Sequence, residues 1–460
     1  MEKSLELGEK KAELLEVRYD KWSKIYIHYE NGKVTKIDSR VSSGIGVTAY
    51  VNGARGYSYT SKLDINEIQR IVMEAIKSAE KTAEIAKIKM KPKEYKPNEY
   101  AGKKPSLKKD PENSELSEKI ELLKSGAESV KNERIASVRG IYGEITGKKI
   151  FMNSEGIKRE WNPIMTGIIY MVVVRENGNI GSGREGFSAS EGLEIFDVNP
   201  PESIADKAYK GALENAEAKT IKSGRYPIVT DPHFSGLIAH ESFGHPNEGD
   251  YVATGSSILA GMLGKKIGSE HASIFESGDP INYGFWVPYD DEGVATRKVT
   301  LLDKGVLSYH LHSRATAELM GHEPTGNARA IDYTFPPIVR MRNTYFGSGE
   351  FTKDEIFELI NKGVYAEGSG GGQTEDTGNF TFAANRAYWI ENGEIAYPLK
   401  GIAVRGHILE FLKNIIGASK ELIVKTSILG GCGKGGQSPL PVGLGGSFLA
   451  VKEVIIGGGK

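Results

Sequence analysis

The 460-residue chain carries 59 Lys and Arg against 60 Asp and Glu, a net charge of −1 that argues against a nucleic-acid or membrane-surface binder. Its 39% apolar and 26% charged residues are typical of globular proteins, and no apolar run approaches the roughly 18 residues of a membrane span. Residues 1–6 lack the apolar stretch of a signal peptide, and a single cysteine, Cys432, excludes a disulfide within the chain. We therefore expect a cytoplasmic protein of two or three domains.

The first part of the chain predicts strands and then a helix. Lys24–Glu30 and Val34–Ser39 flank an Asn-Gly turn, which is a strong hairpin signal. Asp64 begins a capping box ahead of apolar residues that recur at helical spacing up to Ala79. From about residue 90 to 113 the chain is rich in Lys and Pro, which favours an exposed connection over packed structure.

Helices are predicted at Glu115–Lys131 and around Ser203–Ala218. The strands predicted between them are Arg134–Ile141, Lys149–Asn153 and Thr166–Val174. Residues 1–221 should therefore form an N-terminal α+β domain, with an antiparallel sheet and flanking helices.

After Lys222 the composition shifts towards glycine, of which the chain has 56. Ser235–Phe243 and Lys353–Lys362 are the clearest helical patterns in this half. Runs of short strands with few helices favour the α+β class, because no regular alternation of strand and helix is visible. We expect residues 222–460 to form a β-rich, barrel-like C-terminal domain.

The sharpest motif is His-Glu-Ser-Phe-Gly-His at residues 240–245. Imidazole pairs bind zinc well, but in an ideal helix residues five apart lie about 140° apart around the axis. His240 and His245 can converge on one ion only if the helix contains a bulge or breaks at Gly244. We predict a distorted helix here. The alternative is a buried His240 and a surface His245 near a helix end.

A catalytic zinc site needs a third protein ligand, and Cys432 is the leading candidate. A lone cysteine is most often a small buried hydrophobic residue. Here glycines surround it, which allows close backbone approach, and Lys434 or a metal would favour the thiolate. Glu241 would then take a proton from the zinc-bound water and pass it to the leaving amine, which makes amide hydrolysis the natural reaction.

Other charged residues could support such a site. Glu248 and Asp250 could accept hydrogen bonds from ligand imidazoles, or could lie in a solvated turn. A thiolate ligand lowers the charge of the ion, so a positive group such as Lys434 or Arg329 would help to stabilise the oxyanion.

Three further patterns are interpreted as structural. The acidic run at residues 290–292 lacks the spacing of an EF-hand. The glycine-rich segments at 368–372 and 433–436 lack the frame of a phosphate loop, so no nucleotide-binding site is predicted. His310 and His312 would share one face of a strand.

Several segments together resemble the TldD/PmbA family over nearly the whole chain. They are Gly44–Val47, Gly53–Tyr57, His240–His245 with Glu248–Asp250, Asp290–Gly293, Thr325–Asn327, Arg340–Thr344, Gly378–Phe380 and Cys432–Gln437. The histidine pair and the last segment are the most specific. PmbA-type (TldE) subunits of the family lack the metal motif, so the chain resembles the TldD-type, catalytic branch.

The resemblance implies a zinc peptidase with one Zn²⁺ per chain, His240, His245 and Cys432 as ligands and Glu241 as base. The resemblance also implies that the chain is the catalytic subunit of a TldD–TldE-like heterodimer. Such a complex would hold unfolded or short peptides as an added β-strand and would therefore have low sequence selectivity. A homodimer, a metal other than zinc, and either endopeptidase or aminopeptidase action stay open. The alternative function is a non-catalytic peptide-binding or regulatory protein, such as a gyrase modulator, with a structural zinc.

Overall fold

A long hairpin organises the N-terminal half. In the computed structural model, which describes residues 5–6 and 11–458, strand β1 (Leu14–Glu30) pairs along its whole length with β2 (Lys33–Val51). Asn31 and Gly32 form the turn at positive φ, which Asn and Gly adopt most readily. The predicted hairpin is therefore confirmed, and it is much longer than its sequence pattern indicated. Residues 1–4, on which part of the signal-peptide argument rests, lie outside the described residues.

The hairpin belongs to a seven-stranded antiparallel sheet. Its other strands are β3 (Ala54–Thr60), β4 (Ile135–Asn153), β5 (Lys158–Trp161), β6 (Ile164–Glu176) and β7 (Asn179–Ala189). The order is β3-β2-β1-β4-β6-β7, with β5 paired to β4. The helices of this half are α1 (Ile65–Ile85), α2 (Leu116–Ser129), the short α3 (Ile195–Val198) and α4 (Pro201–Glu217), with a 3-10 turn at Pro111–Asn113.

Helix α1 forms as its sequence pattern predicts. The Asp64 carboxylate accepts a hydrogen bond from the Glu67 amide, and the apolar stripe from Ile68 to Ala79 is buried. This stripe packs against β1 and β2, whereas α2 and α4 cover a second apolar cluster beneath β6 and β7. An antiparallel sheet with flanking helices is thus confirmed.

The prediction of two separate strands at Arg134–Ile141 and Lys149–Asn153 is wrong. They are parts of one strand, β4, which pairs with β1 and β6 through the residues between them. Gly143 and Gly147, which lie between the two predicted strands, allow close packing of side chains and do not form a turn. A Cβ on Gly143 would lie 2.3 Å from Ile428 Cγ1, and one on Gly147 would lie 2.8 Å from the Trp22 ring.

The Lys- and Pro-rich connection is irregular, as predicted, but it is partly packed. Tyr100 lies edge-on to Trp286, with ring centroids 6.3 Å apart, and the Tyr95 side chain lies in the same aromatic cluster. The tyrosines between the lysines supply apolar surface that the charged composition obscured. The connection therefore follows the surface of the C-terminal half.

The C-terminal half contains a closed five-stranded barrel, which confirms the barrel-like expectation. Its strands are β8 (Gly224–Thr230), β15 (Lys362–Thr374), β16 (Asn379–Glu391), β18 (Ile402–His407) and β24 (Leu449–Gly458), with β17 (Glu394–Leu399) and β19 (Ile415–Ala418) attached. The order β15-β8-β24-β18-β16 closes because β15 also pairs with β16.

A six-stranded sheet lies beside the barrel. Its strands are β9 (Ile274–Ser277), β10 (Val299–Asp303), β11 (Val306–Leu307), β14 (Asn343–Phe346), β20 (Ile423–Thr426) and β23 (Gly443–Gly446). Two small hairpins pair β12 (Ala328–Arg329) with β13 (Ile338–Val339) and β21 (Cys432–Lys434) with β22 (Gln437–Leu440).

Few helices interrupt these strands. They are α5 (Pro232–Ile238), α6 (Gly249–Ala253), α7 (Arg314–Met320), α8 (Lys353–Ile360) and α9 (Ile408–Asn414). Within the described part of the chain, none of the helices is long and apolar enough to cross a membrane. The division of the chain near Lys222 stays a prediction.

Candidate metal centre

Helix α5 carries the first candidate ligand towards the core. Asp231 caps it by accepting a hydrogen bond from the Phe234 amide, and Pro232 occupies its first position. Gly236 lets the helix lie directly on β23, since a Cβ there would be 2.1 Å from the Gly445 amide nitrogen. The end of α5 is therefore fixed against the six-stranded sheet.

A π-helical turn, Ala239–Gly244, follows α5 and brings the two histidines together. The His245 amide donates to the His240 carbonyl, so this hydrogen bond spans five residues and not the usual four. The two rings consequently lie on one side, with centroids 5.2 Å apart. The predicted distortion of the helix is confirmed. Pro246 then limits the chain to one 3-10 turn, His245–Asn247.

The β21–β22 hairpin brings Cys432 to the same place. Its turn uses Gly435 and Gly436, both at positive φ. The buried Arg340 holds the hairpin from behind, because its guanidinium donates to the carbonyl oxygens of Cys432 (2.8 Å) and Gln437 (3.2 Å). Cys432 itself is 2% exposed.

The donor atoms of His240, His245 and Cys432 all lie within 4.8 Å of one another. Cys432 Sγ is 3.3 Å from His245 Nε2, close to the separation that two ligands of one tetrahedral zinc require, about 3.4–3.6 Å. His240 is 1% exposed, and neither of its ring nitrogens has a hydrogen-bond partner among the described residues. A buried imidazole without partners is costly, so this donor set fits a metal ion.

Glu241 stands at the edge of this cluster and faces solvent. Its Oε2 is 3.8 Å from His245 Nε2, and its side chain is 35% exposed. Both residues line a cleft of about 290 Å³ whose walls include Tyr251, Ser257 and Thr374. The carboxylate can therefore reach a water molecule or a peptide in the cleft, whereas His240 and Cys432 lie behind it.

Glu248 orients the second histidine. Its side chain is fully buried, and Oε2 accepts a hydrogen bond from His245 Nδ1 at 3.2 Å, which leaves Nε2 facing Cys432. Lys434 Nζ binds the same oxygen at 2.9 Å and the Asp250 carboxylate at 2.7 Å. Glu248 thus contacts an imidazole, whereas the Asp250 carboxylate binds Lys434 and accepts a hydrogen bond from the Tyr251 amide. Lys434 is held in these ion pairs and does not line the cleft.

The electrostatics of the three motif residues differ. Burial lowers the pKa of His240 far below its usual value, with further contributions from His245, Arg340 and Arg329. Burial also raises the pKa of Glu241. Burial opposes charge on His245, but the Glu248 carboxylate and the Cys432 thiol outweigh it and raise its pKa to about 11. His240 is therefore ready to donate a lone pair, while zinc must displace a proton from His245.

The remaining sequence candidates lie outside the cleft. Arg329 is buried and donates to the carbonyl oxygens of Met341 and Pro441. Burial, followed by the nearby Arg340, lowers its pKa to about 10. The acidic residues 290–292 are also buried; their carboxylates accept hydrogen bonds from backbone amides, which supports the structural interpretation.

His310 and His312 do not lie on a regular strand, contrary to the prediction. The two histidines flank Leu311, which forms an isolated β-bridge with Glu248. The pairing does not extend into a strand on either side of Leu311. His310 Nδ1 hydrogen-bonds to the side chain of Asn247 in the turn that follows His245. Its role is therefore to support that turn.

No local sequence pattern indicated one wall of the cleft. Thr374, Glu375 and Asp376 come from the β15–β16 turn, and Ser242 Oγ lies 3.2 Å from Thr374 Oγ1. Ser242 and Thr374 are 132 positions apart, and the parallel pairing of β15 with β8, the strand that leads into α5, brings them together.

Three family models match this chain: PmbA/TldA metallopeptidase domain 1 over residues 15–82, the central domain over 109–216 and the C-terminal domain over 223–458. The chain belongs to the PmbA/TldD metallopeptidase family. A Methanocaldococcus jannaschii protein named metalloprotease is 33% identical over 98% of this chain and 97% of its own length. A Saccharolobus solfataricus protein named zinc metalloprotease TldD homolog is 34% identical over 63% of this chain and 64% of its own.

Solved structures of the PmbA/TldD family share the fold. A Thermotoga maritima protein described as a candidate modulator of a DNA gyrase superposes with a TM-score of 0.81 at 24% identity, over 99% of both chains. TldE from Thermococcus kodakarensis gives a TM-score of 0.79 at 21% identity, again over 99% of both chains. At these identities the likeness concerns architecture only.

Proposed function

We propose that this protein is a zinc-dependent peptidase that cleaves unfolded or short peptides with low sequence selectivity. The observation that carries the proposal is the convergence of His240, His245 and Cys432 beside the partly exposed Glu241. Two buried donors, His240 and Cys432, lie behind the cleft, and the Glu241 carboxylate lies in it. Relatives named metalloproteases, about a third identical over nearly the full length, support the same reaction class.

In the proposed reaction, the zinc ion and the Glu241 side chain would have different tasks. A zinc ion held by these three side chains would polarise the peptide carbonyl and acidify a water molecule at the open position. The Glu241 carboxylate accepts the proton of the attacking water and delivers it to the leaving amine nitrogen. Its raised pKa favours this role, because a base that titrates nearer to neutrality returns the proton more readily.

Glu241→Gln provides the decisive test. We expect the variant to keep about one zinc per chain and to lose about 10²- to 10⁴-fold in hydrolysis of an unstructured peptide. Glu394→Gln, at an exposed turn away from the cleft, is the matched control and should match the wild type in both measurements. Undiminished hydrolysis by Glu241→Gln would show that Glu241 is not the catalytic base. A zinc-loaded wild type that cleaves no peptide, even with a TldE-like chain present, would favour the binding-protein alternative.

We also propose that the protein acts in the cytoplasm as the TldD-type subunit of a heterodimer with a TldE-like chain. The complete metal motif supports this assignment, because the partner type is expected to lack it. Light scattering of the protein alone and after co-expression with such a chain would distinguish a heterodimer from a homodimer.

A further inference from the structure

The cleft beside the candidate metal ligands has an acidic lining. Glu241, Glu375 and Asp376 line it, whereas the described residues contribute no Lys or Arg to its walls. Glu241 already has a role as base in the proposed reaction. The two carboxylates on the β15–β16 turn have no role in that chemistry, so their presence needs a separate explanation.

Lys434, which lies against the cleft residue Tyr251, does not neutralise these two carboxylates. Lys434 Nζ is bound to Glu248 and Asp250 and lies 4.2 Å from the centre of the Tyr251 ring, and its side chain is 5% exposed. Glu375 and Asp376 are exposed, and neither forms an ion pair with any residue that the structure describes. Apart from the His245 ring, which is paired with Glu248, the described cleft lining holds no cation, and both negative charges face whatever enters the cleft.

The turn that carries these charges is built rigidly. Glu375 Oε2 accepts hydrogen bonds from the side chains of Thr377 (3.2 Å) and Asn379 (3.2 Å), and its amide donates to the Asn379 carbonyl. Gly378, at φ +87°, packs so closely on the cleft wall that a Cβ would lie 2.7 Å from Ile258 Cδ1. His407 Nε2 donates to the Thr377 carbonyl at 3.0 Å.

The turn is also fixed relative to the candidate catalytic residue. The hydroxyl of Ser242, which follows Glu241 in the π-helical turn, is hydrogen-bonded to the Thr374 hydroxyl at the end of β15. Burial is the main cause of the raised pKa of the Tyr251 phenol in the cleft lining, and Asp376 lies close enough to add to it. The Glu375 carboxylate and the backbone of Asp376 thus have fixed positions in the same cleft that Glu241 lines.

We propose that Glu375 and Asp376 select peptides with a cationic group next to the scissile bond, either a Lys or Arg side chain or a free N-terminal ammonium. This inference rests on the proposed function and adds a charge preference to it. A peptide strand held through its main chain gains little discrimination from backbone hydrogen bonds. Opposite charge at fixed positions supplies specificity and faster association.

The test compares three proteins on one peptide series. The proteins are the wild type, the double variant Glu375→Gln/Asp376→Asn and the control Glu391→Gln/Glu394→Gln, which removes two exposed charges from the remote β16–β17 turn. The peptides share one sequence, carry Lys, Gln or Glu at each position in turn, and have a free or an acetylated N-terminus. For each zinc-loaded protein, kcat/KM is measured on every peptide. Peptide Kd is measured by fluorescence anisotropy after Glu241→Gln has been added to each of the three proteins and the zinc has been removed, so that no peptide is cleaved.

We expect the wild type and the control to favour the cationic peptides, and the double variant to lose about fivefold on these peptides while keeping its values for the Gln peptides. The preference should weaken in high salt, because the Debye length falls from about 10 Å at 0.1 M to about 3 Å at 1 M. A preference that follows one Lys position identifies a side chain, and one that follows the free N-terminus identifies the ammonium.

Two results separate this inference from the proposed function. Zinc-dependent cleavage with equal constants for Lys, Gln and Glu peptides, or a preference that the double variant retains, would overturn the charge selection and leave the peptidase intact. Binding that favours cationic peptides, without cleavage of any of them, would overturn the peptidase and leave the charge selection standing.

Discussion

Cys432 Sγ lies 3.3 Å from His245 Nε2, although 187 residues separate the two in sequence. One residue is carried by a π-helical turn and the other by a glycine-rich hairpin that Arg340 holds from behind. A thiol and an imidazole this close, with a partnerless imidazole beside them, form a donor set for a soft or borderline cation.

Removal of either distant ligand should therefore release the metal. We expect about one zinc per wild-type chain by elemental mass spectrometry, and far less in Cys432→Ala and in His240→Ala, because two ligands cannot hold a structural or catalytic zinc tightly. His28→Ala, on β1 in the N-terminal sheet, is the matched control and should keep its zinc. Full zinc occupancy in Cys432→Ala would show that the Cys432 thiolate is not a zinc ligand.

Zinc binding should release protons. His245 has its pKa raised to about 11, so at pH 7 its ring holds a proton that the ion must displace. The apparent affinity should rise with pH, about tenfold per pH unit for each proton released between pH 6 and 8. Calorimetric titrations in buffers of different ionisation enthalpy count these protons. Zinc affinity that is independent of pH in this range would show that neither His245 nor Cys432 holds a proton that the ion must displace.

Glu248→Gln should weaken zinc binding without removing a ligand. The buried carboxylate orients His245 through Nδ1, and loss of such a partner typically costs about 10- to 100-fold in metal affinity. Competition with a chelator measures the change. Asp250→Asn is the control, because it removes a partner of Lys434 but touches neither imidazole. Equal losses in the two variants would mean that the lysine network, and not the orientation of His245, determines affinity.

Local sequence signals predicted the elements that local chemistry specifies. The Asn31-Gly32 turn, the Asp64 cap and the five-residue spacing of the histidines each gave the observed structure. They failed within β4, which was predicted as two strands; Gly143 lies between these and serves tertiary packing in one continuous strand. The position of the acidic turn at Glu375 beside the histidine motif could not be predicted, because it depends on the pairing of β15 with β8, which are far apart in sequence.

Gly236 offers a test of how α5 positions the metal site. In an isolated helix Gly→Ala is stabilising, by about 1 kcal/mol. Here the new Cβ would lie 2.1 Å from the Gly445 amide nitrogen, so we expect Gly236→Ala to lower the free energy of unfolding by about 1–3 kcal/mol and to reduce zinc occupancy. Gly457→Ala, whose Cβ would meet Ala403 only at 3.8 Å, should change stability by less than about 0.5 kcal/mol in the same denaturant titration. Equal stability of the two variants would show that α5 can shift freely.

A buried ion pair joins the two halves of the chain. Lys149 of β4 binds Asp291 and lies 3.7 Å from Asp20, and the lysine side chain is 7% exposed. Burial opposes charge on Asp291, but Lys149 and Arg18 outweigh it and lower the pKa of that carboxyl. A carboxyl whose pKa is lowered in the folded state stabilises the fold at pH values above its unfolded-state pKa, which is about 3.9. This contribution is lost as the pH falls through the lowered folded-state pKa.

Lys149→Met should therefore lower the free energy of unfolding by about 3–5 kcal/mol at pH 7, because it leaves a buried carboxylate without its main partner. The difference from the wild type should shrink as the pH falls below about 4, where protonation of the carboxyl relieves the unpaired charge. Lys148→Met, which breaks the exposed pair with Glu160, should cost less than about 1 kcal/mol and show little pH dependence. Urea titrations of both variants between pH 3 and pH 7 measure these differences. A loss in Lys149→Met that stays constant to pH 3 would assign its effect to packing against Trp22 and Trp161 and not to charge.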